Sequence, residues 1–316
     1  MNKRRIGRSD LMVAPLALGT NVFGWTIDEQ TSFTILDGFI AAGCNLLDTA
    51  DVYSRWAPGN QGGESEAIIG KWLQKTGNRD KVVIATKVGG DMGQGQKDIT
   101  KDYILREVEA SLKRLKTDYI DLYQTHWDVD TTAVEQTLEA YDQLVKAGKV
   151  RVIGASNFTV PRFVQSLDAS KKKGFPRYES YQPHYNLYDR EEFERQWESL
   201  LLQEEVGVIS YFSLAAGFLT GKYRSEADLS KSVRGEGNRK YLNPRGFRIL
   251  AALDEVAAKY SSQPASVALA WLISRRVVTA PIASATSLSQ LDSLTGAVKL
   301  SLDADDIDLL DQASAY

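Results

Sequence analysis

Short apolar runs alternate with stretches of helical periodicity from Leu16 onward, and this alternation limits the fold more than any other feature of the chain. Val82-Val83-Ile84-Ala85-Thr86-Lys87 is almost continuously apolar, as expected of a parallel strand covered on both faces. Residues 16–19, 46–48, 119–126, 150–155, 178–182, 207–211 and 277–282 read as seven more strands. The intervening segments repeat at helical spacing. Phe33, Leu36, Phe39 and Ile40 share a face after Asp28, a plausible N-cap, and Gly43 closes that helix. Ala67, Ile68 and Trp72 turn inward in the next helix. Ile104, Val108, Leu112 and Leu115 follow from about Thr100, and a further helix ends at Gly148. Pro161 suits the first residue of the next, Leu288, Leu291 and Leu294 repeat behind the eighth strand, and a final helix runs near 303–312. Eight strand–helix units with no linker-like composition shift predict a single α/β domain over residues 1–316, a closed (β/α)8 barrel. Residues 4–18 form an N-terminal β-hairpin around Gly7-Arg8-Ser9-Asp10 in this reading. An open doubly wound sheet is the alternative. It ordinarily carries a glycine-rich fingerprint after its first strand, and Gly19-Thr20-Asn21-Val22-Phe23-Gly24 does not match it.

Composition narrows the function. A net charge of -3 gives no broad basic field, which argues against a nucleic-acid partner, and Lys171-Lys172-Lys173 reads as a solvated helix end. No segment approaches the roughly 20 apolar residues that span a bilayer, and residues 1–7 lack the apolar core of a signal peptide. One cysteine, Cys44, excludes an internal disulfide and fits a reducing, cytoplasmic setting. With only His126, His184 and Cys44 as soft ligands, no metal site is expected. Nothing in the chain specifies an oligomeric state.

In a barrel the strand ends share one face, where enzymes of this shape place their chemistry. Those ends read Asp48, Lys87, His126, Ser156-Asn157, Gln182, Tyr211 and the segment around Ala285-Thr286. Asp48 closes a buried strand, and Tyr53 follows it by five residues. Lys87, held by Asp48, places a cation beside Tyr53 and should lower its pKa, while His126 is positioned to donate to a bound carbonyl oxygen. The long charged and glycine-rich stretch between Phe212 and Gly246 reads as a belt over a ligand, with Arg234 as a candidate phosphate clamp. Trp25, Trp56 and Trp127 lie on loops at the same mouth and suit a substrate wall.

The arrangement resembles the aldo-keto reductase family over nearly the whole length. The family's Asp, Tyr, Lys and His tetrad matches Asp48, Tyr53, Lys87 and His126, in the settings Leu47-Asp48-Thr49-Ala50-Asp51-Val52-Tyr53 and Ala85-Thr86-Lys87. Gly154-Ala155-Ser156-Asn157-Phe158 resembles the motif for the nicotinamide carboxamide, completed by Gln182. Residues 182–190 and 217–223 resemble the branch containing many bacterial reductases and the potassium-channel β subunits. The resemblance implies reduction of aldehydes or ketones to alcohols by hydride from a nicotinamide cofactor, with Tyr53 as the general acid. A small-molecule carbonyl compound is then the expected partner. Tyr211 would stack on the nicotinamide ring, with Gly19, Thr20 and Asn21 at the first strand end. Phe212, Ser213, Leu214, Gly217, Leu219, Gly221 and Lys222 would line the pyrophosphate, and Ala285, Thr286, Ser287 and Gln290 the adenosine end.

Two positions depart from the family pattern. Thr286 stands where many members carry a basic residue for the 2′-phosphate of NADP, and Leu294 stands where an Asn holds the adenine. NADP is expected on the resemblance, with NAD as the alternative and Lys222 or Arg234 as substitute cations. Ending at Tyr316, the chain lacks the long tail that shapes the pocket in some members, so a rather open site is expected. A cofactor-binding regulatory subunit without turnover and a barrel isomerase or lyase for phosphorylated sugars are the competing readings.

Overall fold

The computed structural model describes residues 2–316, so Met1, the first residue of the expected domain range, lies outside them. β1 (Arg4–Arg5) and β2 (Met12–Val13) form the expected hairpin, with Arg4 opposite Val13 and Arg5 opposite Met12. Eight parallel strands follow: β3 (Ala17–Gly19), β4 (Leu46–Asp48), β5 (Val83–Val88), β6 (Ile120–Thr125), β7 (Val150–Ser156), β8 (Tyr178–Gln182), β9 (Gly207–Val208) and β10 (Ile282–Ala283). Their order is β10-β3-β4-β5-β6-β7-β8-β9, so each strand pairs with its neighbour in sequence and β10 returns to β3. The remaining seam closes through a parallel bridge between Val208 and Val278. Thr279 N–H donates to the Val208 carbonyl and Ile282 N–H to that of Ser210, both at 2.8 Å. The fold is therefore the (β/α)8 barrel. β9 and β10 are shorter than the sequence runs suggest. Pro281 has no N–H to offer a ladder, and it contributes only its carbonyl, which accepts from Ala17 N–H at 2.9 Å.

Side chains alternate across each strand, and the two faces build two cores. Ala17, Leu46, Ala85, Leu122 and Val152 point into the barrel, and Ile6, Leu11 and Val13 of the hairpin segment join them. The hairpin thus plugs one end of the barrel. Arg4 anchors it there, donating to the carbonyls of Val278 at 2.7 Å and Ile273 at 2.8 Å. The opposite strand faces, with Leu18, Leu47, Ile84, Tyr123 and Ile153 among them, pack against the helices.

The first helices are α1 (Glu29–Ala41), α2 (Glu64–Thr76), α3 (Lys101–Leu115), α4 (Val134–Lys146) and α5 (Val160–Lys173). After them come α6 (Glu191–Gln196), α7 (Glu198–Gln203), α8 (Pro244–Lys259), α9 (Pro264–Ser274), α10 (Leu288–Gly296) and α11 (Ala304–Ala313). Asp28 caps α1 by accepting from Thr31 N–H, and Asp303 and Asp306 cap α11 reciprocally. Three details differ from the sequence reading. Ala67 is half-buried and Ile69 takes the inward place beside Ile68 and Trp72. Pro161 is the second residue of α5, and Leu288 opens α10 on its exposed side. The stretch 212–243 is not structureless: it carries two short turns joined by a left-handed kink at Ala216 and Gly217 within Ala215–Thr220, and 3-10 turns at Glu226–Lys231 and Glu236–Tyr241. Among the described residues no helix is long and apolar enough to cross a membrane.

Close packing of α2 on α3 rests on Gly70. A Cβ there would lie 2.1 Å from the Arg114 carbonyl oxygen and 2.7 Å from the Leu115 carbonyl carbon, backbone atoms that cannot swing away. On an exposed helix Gly→Ala gains about 1 kcal/mol. At this position Gly70→Ala is expected to lose about 1–3 kcal/mol through overpacking. Urea unfolding reads the difference: the variant midpoint falls below wild type with the slope unchanged, and a midpoint at or above wild type would refute the packing argument.

Candidate active site

β4 ends on Asp48 and β5 carries Lys87 to the same rim of the barrel. Lys87 is fully buried, and its three ammonium protons each find an acceptor. They go to Asp48 Oδ2 at 2.8 Å, the Thr49 carbonyl at 2.9 Å and the Tyr53 hydroxyl at 2.9 Å. The other carboxylate oxygen, Asp48 Oδ1, accepts from Gln182 Nε2 at 2.9 Å. The loop bearing Tyr53 is pinned at Ser54, whose hydroxyl donates to the Phe23 carbonyl at 2.9 Å. It is also pinned by Gly63 N–H, which donates to the Tyr53 carbonyl at 2.9 Å. His126, one residue past β6, stands edge-on to Tyr53 with ring centroids 6.0 Å apart. The four residues expected from the sequence are therefore brought together.

Their charge states follow from burial and from one another. Burial works against the Lys87 cation, but Asp48 and then Tyr53 outweigh it and leave the pKa raised, so Lys87 is an ammonium. The phenol departs from the expectation. Burial raises the Tyr53 pKa and outweighs the lowering by Lys87, whose charge is moreover partly cancelled by Asp48. Tyr53 is thus a protonated acid rather than a depressed phenol. Burial, then the charges of Lys87 and Lys97, pushes His126 well below 6.5, so its imidazole is neutral. Its Nδ1 is buried without a partner among the described residues, while the ring borders the open cavity. Asp51, on the loop after β4, is also fully buried. Burial, with Glu66 and Glu107 nearby, raises its pKa well above the ordinary carboxylate range.

A cavity of about 960 Å³ opens over these groups. Its catalytic end is lined by Asp48, Tyr53, His126, Trp56 and Trp127. Trp25 stands behind that wall, its ring edge-on to Trp56 at 5.6 Å, and Trp56 is edge-on to Tyr53 at 5.7 Å. Along the next side lie Ser156, Asn157, Gln182 and Tyr211. Ser156 Oγ donates to the Gln182 carbonyl at 2.8 Å, and the Tyr211 hydroxyl donates to Asn157 Oδ1 at 3.2 Å. The Tyr211 ring is backed by His184, stacked at 5.4 Å. Gln182, expected to complete a carboxamide site, has its amide nitrogen directed to Asp48 Oδ1 at 2.9 Å and to Gln124 Oε1 at 3.5 Å, so its oxygen is the group left for a ligand.

The cavity continues past Phe212, Ser213, Leu214, Gly217 and Lys222. Phe212, Ala215, Ala216 and Gly217 all have positive φ, between 47° and 98°, so the backbone follows a left-handed path here. None of the N–H groups of Phe212, Ser213 and Leu214 has a partner among the described residues. A Cβ at Gly217 would come within 3.4 Å of Lys222 Nζ and fill the cradle between them. The far end is formed by Thr286 and Gln290 with Ser293 and Gln263. Thr286 donates through both N–H and hydroxyl to Gln290 Oε1, at 2.9 and 3.0 Å. Gly19 and Asn21 line the cavity beside Ser284, whose hydroxyl donates to Asn21 Oδ1 at 2.8 Å.

Other expected residues support the cavity without lining it. Thr20 is buried and donates to the Asp48 carbonyl at 2.8 Å; Ser287 caps α10. Leu219 and Ala285 are core residues, and Gly221 ends a 3-10 turn at φ +79°. Arg234 lines the cavity, with its guanidinium 5.1 Å over the Trp25 ring. Val52, Thr26, Gln263, Ser284 and Ser293 border the site and were not singled out from the sequence. Small polar residues flanking strand and helix ends gave no signal strong enough to select them. The donor set fits a nicotinamide dinucleotide: a cavity with a catalytic rim at one end, backbone donors and a lysine without partners among the described residues in the middle, and a helix N-terminus beyond.

The sequence of residues 15–315 matches the family model described as Aldo/keto reductase family. The uncharacterized oxidoreductase YrpG of Bacillus subtilis is 35% identical, over 96% of this chain and 93% of its own length. Protein tas of Escherichia coli is 32% identical over 100% of this chain and 99% of its own. Aldo-keto reductase YhdN of Bacillus subtilis is 31% identical over 97% and 91%. With its barrel and the strand-end tetrad, the chain belongs to the aldo/keto reductase family and is an oxidoreductase of that family, whose members generally use nicotinamide cofactors.

Proposed function

We propose that this protein reduces small-molecule aldehydes and ketones to alcohols with NADPH, in the cytoplasm. The observation that carries the reading is the bonding of Lys87 to both Asp48 and Tyr53 at the edge of a cavity large enough for cofactor and substrate together. When bound, the nicotinamide supplies a hydride for the carbonyl carbon. The rest is the work of the chain. Tyr53 hands its phenolic proton to the carbonyl oxygen as negative charge builds there, and the Lys87 ammonium stabilises the phenolate left behind. Asp48 keeps Lys87 aimed and charged, and Gln182 in turn orients Asp48. Neutral His126 has a single N–H, and on the ring nitrogen facing the cavity it would donate to the same oxygen. Tyr211, backed by His184 and held by Asn157, presents a flat face for the nicotinamide ring, which fixes its position rather than its reactivity. Lys222 and the free N–H groups after β9 suit the pyrophosphate, and the N-terminus of α10, with Thr286, Ser287 and Gln290, suits a 2′-phosphate.

Tyr53→Phe is expected to abolish reduction while leaving NADPH affinity within about threefold, since it removes the acid and no cofactor contact. Near-full turnover by the variant would mean that another group delivers the proton. The pH dependence follows from the charge states. His126 is held below 6.5 and is already neutral at about pH 7, and Tyr53 is held above 10 and keeps its proton. kcat/KM for reduction should therefore vary less than about twofold between about pH 7 and about pH 9. A bell centred inside that range would show that one of the two assignments is wrong.

Tryptophan fluorescence titrated with NADPH and with NADH, followed by addition of 4-nitrobenzaldehyde, tests the cofactor and the reaction together. NADPH is expected to bind at least about tenfold tighter, the effect of one added charge-assisted hydrogen bond or so. Equal affinities would remove the NADPH preference. Tight binding without oxidation across a panel of aldehydes would replace the reductase by a cofactor-binding subunit.

A further inference from the structure

Tyr211 lines the cavity, and its ring is backed by that of His184, with centroids 5.4 Å apart and planes 18° from parallel. Backbone bonds set the two residues side by side. Tyr211 N–H donates to the Pro183 carbonyl at 2.9 Å, and Tyr185 N–H to that of Tyr211 at 3.4 Å. These bonds fix where the tyrosine ring begins and leave its tilt to the side-chain torsions. Two side-chain contacts then hold the tilt: the hydroxyl donates to Asn157 Oδ1, and the back of the ring rests on the imidazole. The imidazole is itself held. Its Nε2 lies 3.2 Å from Asp189 Oδ2, so beside this carboxylate Nε2 carries the ring N–H and the plane of the imidazole is set.

Asp189 is a junction. The same Oδ2 accepts from the Tyr241 hydroxyl at 2.8 Å and from Asn186 Nδ2 at 3.2 Å. Burial works against its charge, but the bonds from His184 and then Tyr241 outweigh it and bring the pKa down to about 2. Each donor comes from a different part of the cavity's surroundings. Tyr241 ends the last 3-10 turn of the strap formed by residues 212–243, and its ring stacks on Phe218 at 5.1 Å. Asn186 gives its second amide proton to the Phe212 carbonyl at 3.0 Å, at the start of the backbone cradle. The turn that carries Asp189 does not need its carboxylate for closure. Asn186 Oδ1 already closes that turn, accepting from the N–H groups of Tyr188 and Asp189, both at 2.8 Å. None of His184, Asn186, Asp189 and Tyr241 lines the cavity, so their effect on a ligand passes through Tyr211 and the strap. We infer that Asp189 is a positioning residue: through His184 it sets the tilt of the ring on which the nicotinamide stacks, and through Tyr241 it ties that tilt to the strap. The inference rests on the reductase reading above. A nicotinamide tilted away from the carbonyl delivers hydride slowly, while the phosphates and adenosine of the same cofactor bind as before.

NADP+ and 2′-phospho-ADP-ribose differ only in the nicotinamide, as do NAD+ and ADP-ribose, so the two pairs serve whichever cofactor the protein takes. Wild type, Asp189→Ala, Asp189→Asn and His184→Ala are titrated with all four ligands by tryptophan fluorescence. Single-turnover reduction of 4-nitrobenzaldehyde by the matching reduced cofactor follows. Asp189→Ala and His184→Ala should keep the affinity for the nicotinamide-free ligand within about twofold and lose about tenfold of the affinity ratio within the pair. The single-turnover rate should fall by about tenfold or more, and Asp189→Asn, which keeps an acceptor, should recover part of both losses. His184→Ala truncates a half-buried side chain and carries the test if Asp189→Ala does not fold. Equal binding of both members of a pair by wild type overturns the inference. So does a loss shared equally by both members, which would make the junction a brace of the scaffold, or an unchanged ratio in either alanine variant. If wild type turns over no aldehyde while the ratio still depends on Asp189 and His184, the reductase reading fails and the positioning role stands.

Discussion

A buried ammonium has to be neutralised where it stands, and Lys87 is neutralised by a carboxylate on the adjacent strand. Taking either charge out of water costs several kcal/mol, so each is tolerable only with the other in place. That mutual requirement fixes the register of β4 against β5 at the rim. It leaves one ammonium proton pointing at Tyr53, and through Gln182 it reaches across to β8. Burial first, and then the same charge, disfavours protonation of His126 and keeps the imidazole neutral beside an acid that stays protonated. Removing the lysine would thus disturb the fold, the proton donor and the neighbouring donor together. The site is a property of the ion pair more than of any one catalytic side chain.

Much of this was legible in the sequence because it depended on periodicity and on strand ends. The near-continuous apolar run 82–87 and the repeats at Ile104, Val108, Leu112 and Leu115 could belong to little else than covered parallel strands and their helices. The end of a barrel strand is where polar residues have reason to collect. Asp48, Lys87 and His126 each stood out as a polar residue closing or following an apolar run. What stayed hidden was set by three-dimensional balance. Whether Lys87 or burial controls the Tyr53 phenol depends on how completely the loop covers it, and burial prevailed. That Leu288 and Ala67 would lie off the core face, or that Leu219 would support the cavity rather than line it, depends on helix rotation, which short amphipathic patterns leave loose. Ser284, Gln263 and Ser293 are ordinary small polar residues until the fold sets them along one cavity.

The stretch between β9 and α8 shows how irregular backbone can be specific. Its left-handed turns at Phe212, Ala215 and Ala216 would be costly in a free chain. Here they are held by short local bonds, such as Ala215 N–H to the Phe212 carbonyl at 2.7 Å and Gly217 N–H to that of Leu214 at 2.8 Å. Asn238 then staples the distal part of the strap onto Ala216. The segment read from its length as a belt is a series of short turns braced against the rim, so the groups it presents have fixed positions before any ligand arrives.

The plug at the other end of the barrel bears on how the molecule comes into being. Ile6, Leu11 and Val13 fill the barrel from below, and Arg4 is tied to carbonyls at Ile273 and Val278, just before the strand that seals the ring. The Arg4 side chain therefore meets these two acceptors only once the chain has reached the last strand of the barrel. Until then the nascent sheet has two open edges and an unfilled interior. Closure of the ring and the final anchoring of the plug thus draw on the same late residues, and a chaperone that shields those edges would matter most in the interval before them.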